Sequence, residues 1–198
     1  MRVSILDYGV GNLHSLAKAL VAAGGEPHIV TDPARALDAE ALVLPGVGAF
    51  PAAAGRLAQG RDTLRAAVLG GLPTLGICLG MQLLFAESDE GPGAGLAVFD
   101  GRVERLQATC IPQIGWNAIE ESREPLIEQA GVGTAYYANS FVCRPNDLGV
   151  VTSWSVHETD RFPATVRRGR TVGVQFHPEK SSAPGVDLLR HFLREAAA

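Results

Sequence analysis

Lysine is nearly missing from this chain. Of its 17 basic side chains in 198 residues, only Lys18 and Lys180 are lysines, and against 21 acidic residues they leave a formal charge of −4. Proteins hold a phosphate backbone through a basic surface, so this balance excludes nucleic acid as the main partner. The preference for Arg and Ala reads as coding bias. Cysteine is scarce as well. Cys78, Cys110 and Cys143 stand at no metal-ligand spacing, so no metal is expected. No apolar stretch approaches the length needed to cross a bilayer. The opening run Met1–Asp7 is too short for a secretory signal and reads as a buried strand. An odd number of cysteines with no such signal predicts reduced thiols and a cytoplasmic location.

Hydrophobic residues make up 46% and charged residues 19% of the chain, an ordinary globular balance. A chain of this length buries a sizeable core without disulfide or metal staples. Repeats, low-complexity tracts and linkers are lacking, so residues 1–198 are expected to form a single domain.

In the first half, short apolar runs alternate with helical patterns. Val3–Leu6, Pro27–Val30, Ala41–Leu44 and Pro73–Ile77 read as strands. Asn12 is placed to cap a helix whose apolar residues Leu13, Leu16, Ala17 and Leu20 recur at helical spacing until Gly24-Gly25 stops it. A second helical region runs from Pro51 to Leu69 with an interruption near Gly60, and a third spans Gly80–Phe85. Strands alternating with helices imply right-handed crossovers. Nearly continuous apolar strands imply a parallel sheet covered on both faces.

The second half is richer in β pattern: Gly101–Arg105, Ala135–Cys143, Val150–Ser155, Ala164–Arg168 and Thr171–Phe176. These segments read as antiparallel hairpins added to the sheet, the last two joined through Gly169-Arg170. A closing helix covers 185–197. The charged run Glu120–Glu124 reads as solvated surface, and Cys110 and Cys143 as inert buried thiols. His14, His28, His157 and His191 read as surface or packing residues.

The chemistry centres on Leu75-Gly76-Ile77-Cys78-Leu79-Gly80-Met81-Gln82. A strand runs into Gly-x-Cys-x-Gly and then a helix, which is the pattern of a nucleophile elbow with Cys in place of Ser. The turn is sharp and crowded, hence the two glycines. It thrusts the Cys78 sulfur out at the carboxyl end of the sheet, beside a helix N-terminus that favours thiolate. The Leu79 N–H is placed to donate to an oxyanion. A free cysteine is more often a small buried residue, so the motif needs partners. Val174-Gln175-Phe176-His177-Pro178-Glu179 supplies them. His177 stands at a strand end, and Glu179 follows two residues later as the acceptor that orients it. At the end of another strand, Pro45-Gly46-Val47-Gly48 carries two glycines whose peptides can turn toward a ligand or flip. The N–H of Gly48 or Val47 is the candidate second oxyanion donor.

Together these motifs resemble the class I glutamine amidotransferases over essentially the whole chain. That family pairs Gly-x-Cys-x-Gly-x-Gln with a late His-Pro-Glu on a flavodoxin-like sheet. The resemblance therefore implies an α/β fold with a mostly parallel central sheet, helices on both faces and added antiparallel strands in the C-terminal half. More narrowly, four segments resemble the glutaminase subunits of imidazole glycerol phosphate synthases, from histidine biosynthesis. They are Asp7-Tyr8-Gly9-Val10-Gly11-Asn12-Leu13, Leu44–Phe50, Gly115-Trp116-Asn117 and His177-Pro178-Glu179-Lys180-Ser181.

The resemblance implies that Cys78 attacks the side-chain amide of glutamine. His177 carries the proton to the leaving ammonia and Glu179 orients His177. A γ-glutamyl thioester forms and water releases glutamate. Gln82 would contact bound glutamine, and the backbone at Ser140 and Phe141 would hold its amino-acid end. No cofactor is implied. The implied partner is a (β/α)₈ cyclase subunit in a heterodimer, with Asn12, Trp116 and Lys180 near the interface. Two positions depart from the family's usual residues, both commonly His: Gln113, before Gly115-Trp116-Asn117, and Asn139, before Ser140.

Other readings of the residues have less behind them. Another stand-alone class I glutaminase, such as that of pyridoxal phosphate synthase, shares the triad but lacks the Asp-Tyr-Gly-x-Gly-Asn opening. A cysteine peptidase or γ-glutamyl hydrolase on the same elbow does not account for Gln82 and Pro45–Gly48. A dinucleotide-binding module fails because His14 occupies the third glycine position of the fingerprint.

Overall fold

The computed structural model describes residues 1–9 and 13–198. Asn12, read above as a helix cap and interface residue, lies outside them. The strands are β1 (Arg2–Leu6), β2 (Glu26–Val30), β3 (Ala41–Leu44), β4 (Thr74–Ile77), β5 (Glu87–Ser88), β6 (Gly101–Arg105), β7 (Gln113–Ala118), β8 (Thr134–Asn139), β9 (Phe141–Pro145), β10 (Val151–His157), β11 (Asp160–Arg168) and β12 (Thr171–Val174). The helices are α1 (Leu13–Ala22), α2 (Phe50–Leu57), α3 (Arg61–Leu69), α4 (Leu79–Gln82), α5 (Pro125–Ala130) and α6 (Ser182–Ala196).

Seven strands form the central sheet in the order β10-β11-β12-β4-β3-β1-β2. From β12 to β2 all neighbours are parallel, and β10 and β11 extend the sheet antiparallel. Side chains alternate across a strand, so one apolar run feeds two cores. On β1 and β3, Val3, Ile5, Ala41 and Val43 pack toward α1, α5 and α6. Leu6, Leu42 and Leu44 pack toward α2 and α3. This is why β1, β3, β4 and β12 read as nearly unbroken hydrophobic segments, whereas the edge strand β2 is mostly exposed or half-buried.

The expected fold class is borne out, with corrections. Gly101–Arg105 and Ala135–Cys143 do not join the central sheet. The second segment breaks at Ser140, whose carbonyl accepts from the Leu106 N–H. The two halves part company there: β8 pairs with β7 as a two-stranded ribbon, and β9 pairs with β6 in a three-stranded sheet with β5. The helix after Cys78 is a single turn. The run Glu120–Glu124 is not all solvated surface, because Glu124 is fully buried. Its carboxylate caps α5 through the Leu126 N–H and pairs with Arg167, which also binds Glu195 on α6. A buried carboxylate without that partner would be strongly destabilising. Cys110 is exposed, not buried, while Cys143 is buried as expected. Among the described residues no helix is long and apolar enough to cross a membrane, and no cluster of His, Cys, Asp or Glu could hold a metal.

Candidate active site

Three carboxyl ends of parallel strands converge, as ligand sites do in open α/β sheets. At the end of β4 the chain turns so sharply that Cys78 takes φ 46° and ψ −103°, a conformation costly for a residue with a Cβ. The Cys78 N–H donates to the Val174 carbonyl of β12 at 2.7 Å. The flanking glycines are required by crowding. A Cβ on Gly76 would lie 2.7 Å from the Gly80 carbonyl oxygen, and one on Gly80 would lie 2.0 Å from that of Leu44. Cys78 is buried, with 5% of its surface exposed, and it lines a cleft.

Past the end of β12, His177 is held by backbone contacts. Its N–H donates to the Tyr136 carbonyl, and its carbonyl accepts from the Ser181 hydroxyl, which also accepts from the Tyr136 N–H. The ring is thereby tied to β8. His177 Nδ1 donates to Glu179 Oε1 at 2.8 Å, and the ring and the Cys78 thiol line the same cleft and interact electrostatically. Burial disfavours the imidazolium, but hydrogen bonds and charge from Cys78 and Glu179 outweigh it and push the His177 pKa up to about 10. The arrangement suits a thiolate–imidazolium pair.

In an NMR titration the His177 ring is therefore expected to stay doubly protonated through neutral pH. Stability gained from this charged pairing is full below the ordinary value of 6.5 and is lost as pH rises toward about 10. Cys78→Ala or Glu179→Gln should each lower the midpoint. A midpoint near 6.5 in the unaltered chain would contradict this arrangement.

The loop after β3 adds a third wall. Its first carbonyl, that of Pro45, accepts from the buried Tyr8 hydroxyl. Gly46 faces the triad so closely that a Cβ would lie 3.0 Å from His177 Cε1 and 2.8 Å from the Ile77 carbonyl oxygen. The Gly46 carbonyl accepts from the Leu79 N–H at 3.5 Å. The N–H expected to stabilise an oxyanion is thus occupied by a protein carbonyl. Val47 is exposed, and Gly48 has φ 126°, which a side chain would disfavour.

The cleft has a volume of about 250 Å³, somewhat below the usual range for drug-sized ligands and in keeping with a single amino acid. Cys78, His177, Gln82, Ser140, Phe141, Val47, Gly48 and Leu79 all line it, so the structure brings together the residues singled out from sequence, with Glu179 behind His177. Gln82 Nε2 donates to the Phe141 carbonyl at 3.0 Å, and Asn139 Nδ2 donates to the same oxygen. The two departures from the family pattern, Gln113 and Asn139, prove to be cross-strand partners on β7 and β8, and both are buried.

Sequence reasoning missed Glu90, whose carboxylate accepts from the Phe50 N–H and which also lines the cleft. Its acidic neighbourhood, Glu87-Ser88-Asp89-Glu90, carries no motif that would single it out. Lys180 also lines the cleft, and both it and Trp116 are exposed. Trp116 meets Tyr136 edge to face at 6.4 Å, and Lys180 Nζ lies 5.6 Å from the centre of the same ring.

Comparison with known proteins identifies the family. The family model described as glutamine amidotransferase class-I matches residues 4–196. The curated imidazole glycerol phosphate synthase subunit HisH of Symbiobacterium thermophilum is 46% identical, with 98% of this chain and 93% of that protein covered. The HisH subunit of Pyrococcus furiosus is 41% identical, with 98% of each covered. A solved structure described as a glutamine amidotransferase superposes with a TM-score of 0.77 at 24% identity, covering 99% of both chains. The structure of PurLQS from Thermotoga maritima gives 0.75 at 20% identity, with 98% of both chains covered; these two likenesses bear on the fold. With the family model spanning nearly the whole chain and relatives above 40% identity along its length, the chain belongs to the class I glutamine amidotransferases.

Proposed function

We propose that the chain is the glutaminase subunit of an imidazole glycerol phosphate synthase, hydrolysing glutamine through Cys78, His177 and Glu179 and passing ammonia to a cyclase subunit. The observation that carries the catalytic reading is the convergence of Cys78, His177 and Glu179 at one amino-acid-sized cleft. The Cys78 thiolate attacks the glutamine side-chain carbonyl. Once the Gly46–Val47 peptide has rotated and withdrawn the Gly46 carbonyl, charge on the oxygen is received by the Leu79 N–H and by the Val47 or Gly48 N–H. His177 gives its proton to the departing amine, and the γ-glutamyl thioester remains. His177 then activates water, and hydrolysis frees glutamate and the thiolate. Gln82 and the backbone at Ser140 and Phe141 hold the substrate. The Glu90 carboxylate supplies the negative charge suited to its ammonium group.

Ammonia freed into neutral water would become ammonium, which is no nucleophile, so a sheltered acceptor is required. A (β/α)₈ cyclase subunit is the proposed acceptor, forming imidazole glycerol phosphate and aminoimidazole carboxamide ribonucleotide in a heterodimer. Asn12, Trp116 and Lys180 are the proposed contact residues. The reading is supported by the full-length likeness to curated HisH subunits and by the exposed Trp116 and Lys180, which meet on the Tyr136 ring, Lys180 lining the cleft.

A nitrogen-source assay tests the proposal. With a cyclase subunit from the same source, product formation from glutamine should need this chain, whereas formation from ammonium salts should not. An assembled pair that makes product from ammonium but not from glutamine would overturn it. Lys180→Ala should weaken the complex, or the coupling of hydrolysis to synthesis, about tenfold. Binding isotherms and the ratio of glutamate to product would measure each. No change in either would remove Lys180 from the interface.

A further inference from the structure

Gln175 lies one residue beyond β12 and has no place in the triad. Its side chain is fully buried. Its backbone N–H continues the ladder to the Ala164 carbonyl, and its side-chain Nε2 lies 3.4 Å from Cys78 Sγ with a donating geometry. The other end of the amide, Oε1, is buried with no hydrogen-bond partner among the described residues. Burying an unpaired carbonyl costs on the order of 1–3 kcal/mol. An apolar side chain of the same length, such as Met, would fill the space without that cost. The amide is therefore explained by its donor end, and that end faces the sulfur.

We infer that Gln175 is a further catalytic residue of the glutaminase reaction, its side-chain N–H holding and stabilising the Cys78 thiolate at the beginning and end of each turnover. This rests on Cys78 being the nucleophile. Gln175 does not line the cleft, so it meets the sulfur away from the space a substrate would fill. When the thiolate becomes a thioester the sulfur loses its charge and the hydrogen bond weakens. When the second tetrahedral intermediate collapses, the C–S bond breaks, the electron pair returns to sulfur, and the Nε2–H is already in place to receive the charge. A hydrogen bond to the charged form favours that form, so the residue should speed thiolate departure.

The surrounding titratable groups sharpen the expectation. Tyr8 and Cys143 both feel the Cys78 charge. Burial first, then that charge, hold both well above their ordinary ranges, so they remain neutral in a neutral-pH assay. His177, backed by Glu179, is the charged group whose ionisation is coupled to Cys78. Gln175 adds a donor whose state does not change with pH.

The test is alkylation by iodoacetamide against pH, followed by mass spectrometry of the peptides carrying Cys78 and Cys110, in the full chain and in Gln175→Met. The Cys78 profile is expected to move up by about one pH unit, the worth of one modest charged hydrogen bond. The exposed Cys110 should keep its profile in both proteins. Glutamine hydrolysis in the partner complex should fall about tenfold. An unmoved Cys78 profile in a folded Gln175→Met chain would overturn the inference. If that variant does not fold, the side-chain amide NMR signal of Gln175 in the unaltered sequence decides. It should shift when Cys78 is alkylated or replaced by Ala, and an unmoved signal would equally overturn the inference. Retained hydrolysis in Cys78→Ala would instead remove the nucleophile reading itself.

Discussion

Glutamine hydrolysis by the partner complex falls at least about 10³-fold when Cys78 is changed to Ala, the scale seen when a covalent nucleophile is removed. The loss should be in turnover and not in folding. The substitution removes one sulfur from a buried position, which costs about 1 kcal/mol through the small cavity left behind. Every backbone contact of the elbow, including the Cys78 N–H bond to Val174, is kept. Glutamine should still enter the cleft, because Gln82, Glu90 and the Ser140–Phe141 backbone are untouched. Synthesis from ammonium salts by the same complex should be unchanged, since that route bypasses the thioester. Glutamate release from glutamine, measured beside ammonium-dependent synthesis, separates these outcomes. Residual hydrolysis above about one per cent would mean that another group makes the attack.

The second large effect is switching. Alone, the chain should hydrolyse glutamine at least about 10²-fold more slowly than in the complex with its acceptor ligand bound, because removing one oxyanion donor typically costs 10²–10³ in turnover. The cause is the Leu79 N–H, which is already committed to the Gly46 carbonyl at 3.5 Å. An oxyanion cannot occupy the place of a carbonyl oxygen of like polarity. Rotation of the Gly46–Val47 peptide would withdraw that oxygen and present a donor instead. Glycine at 46 and 48 makes the rotation feasible, while Tyr8 anchors the Pro45 carbonyl on one side of it. A partner that contacts the active-site rim would favour the rotated state only through tighter binding to it. Glutamate release by the isolated chain, then with partner, then with partner and nucleotide ligand, measures the steps. Full activity in the isolated chain would mean that the peptide turns freely without help.

Much of this was legible in the sequence because it is local. The inner parallel strands declare themselves as short apolar runs, since both faces of β1, β3, β4 and β12 are covered. Gly-x-Cys-x-Gly and His-Pro-Glu are compact motifs whose geometry is set within a few residues. What escaped was set by distant partners. Glu124 looked like one more surface charge because Arg167, which neutralises it, lies 43 positions away. The contact of Gln175 with Cys78 spans 97 positions. The β7–β8 ribbon was half missed because Gln113–Ala118 turns its apolar residues Ile114 and Trp116 outward and its polar residues Gln113 and Asn117 toward the more covered face, the reverse of the usual hydrophobic alternation. The six-residue helix α5 is too short to show a period. The direction of the Gly46 carbonyl is a peptide orientation, which no side-chain pattern records.

The crowding around the elbow also shapes how the site could change over generations or in a laboratory library. On the nucleophile side, backbone packs on backbone at Gly76 and Gly80, and Gly46 is wedged between the Ile77 carbonyl and the His177 ring. Single substitutions there displace the reacting groups before they can alter what is recognised. Glu90, Asn139 and Lys180 also line the cleft and are free of that crowding. New substrate preferences are therefore more accessible at these positions. The two positions where this chain departs from the usual residues, Gln113 and Asn139, are an adjacent pair, Asn139 lining the cleft and Gln113 directly across the ribbon from it.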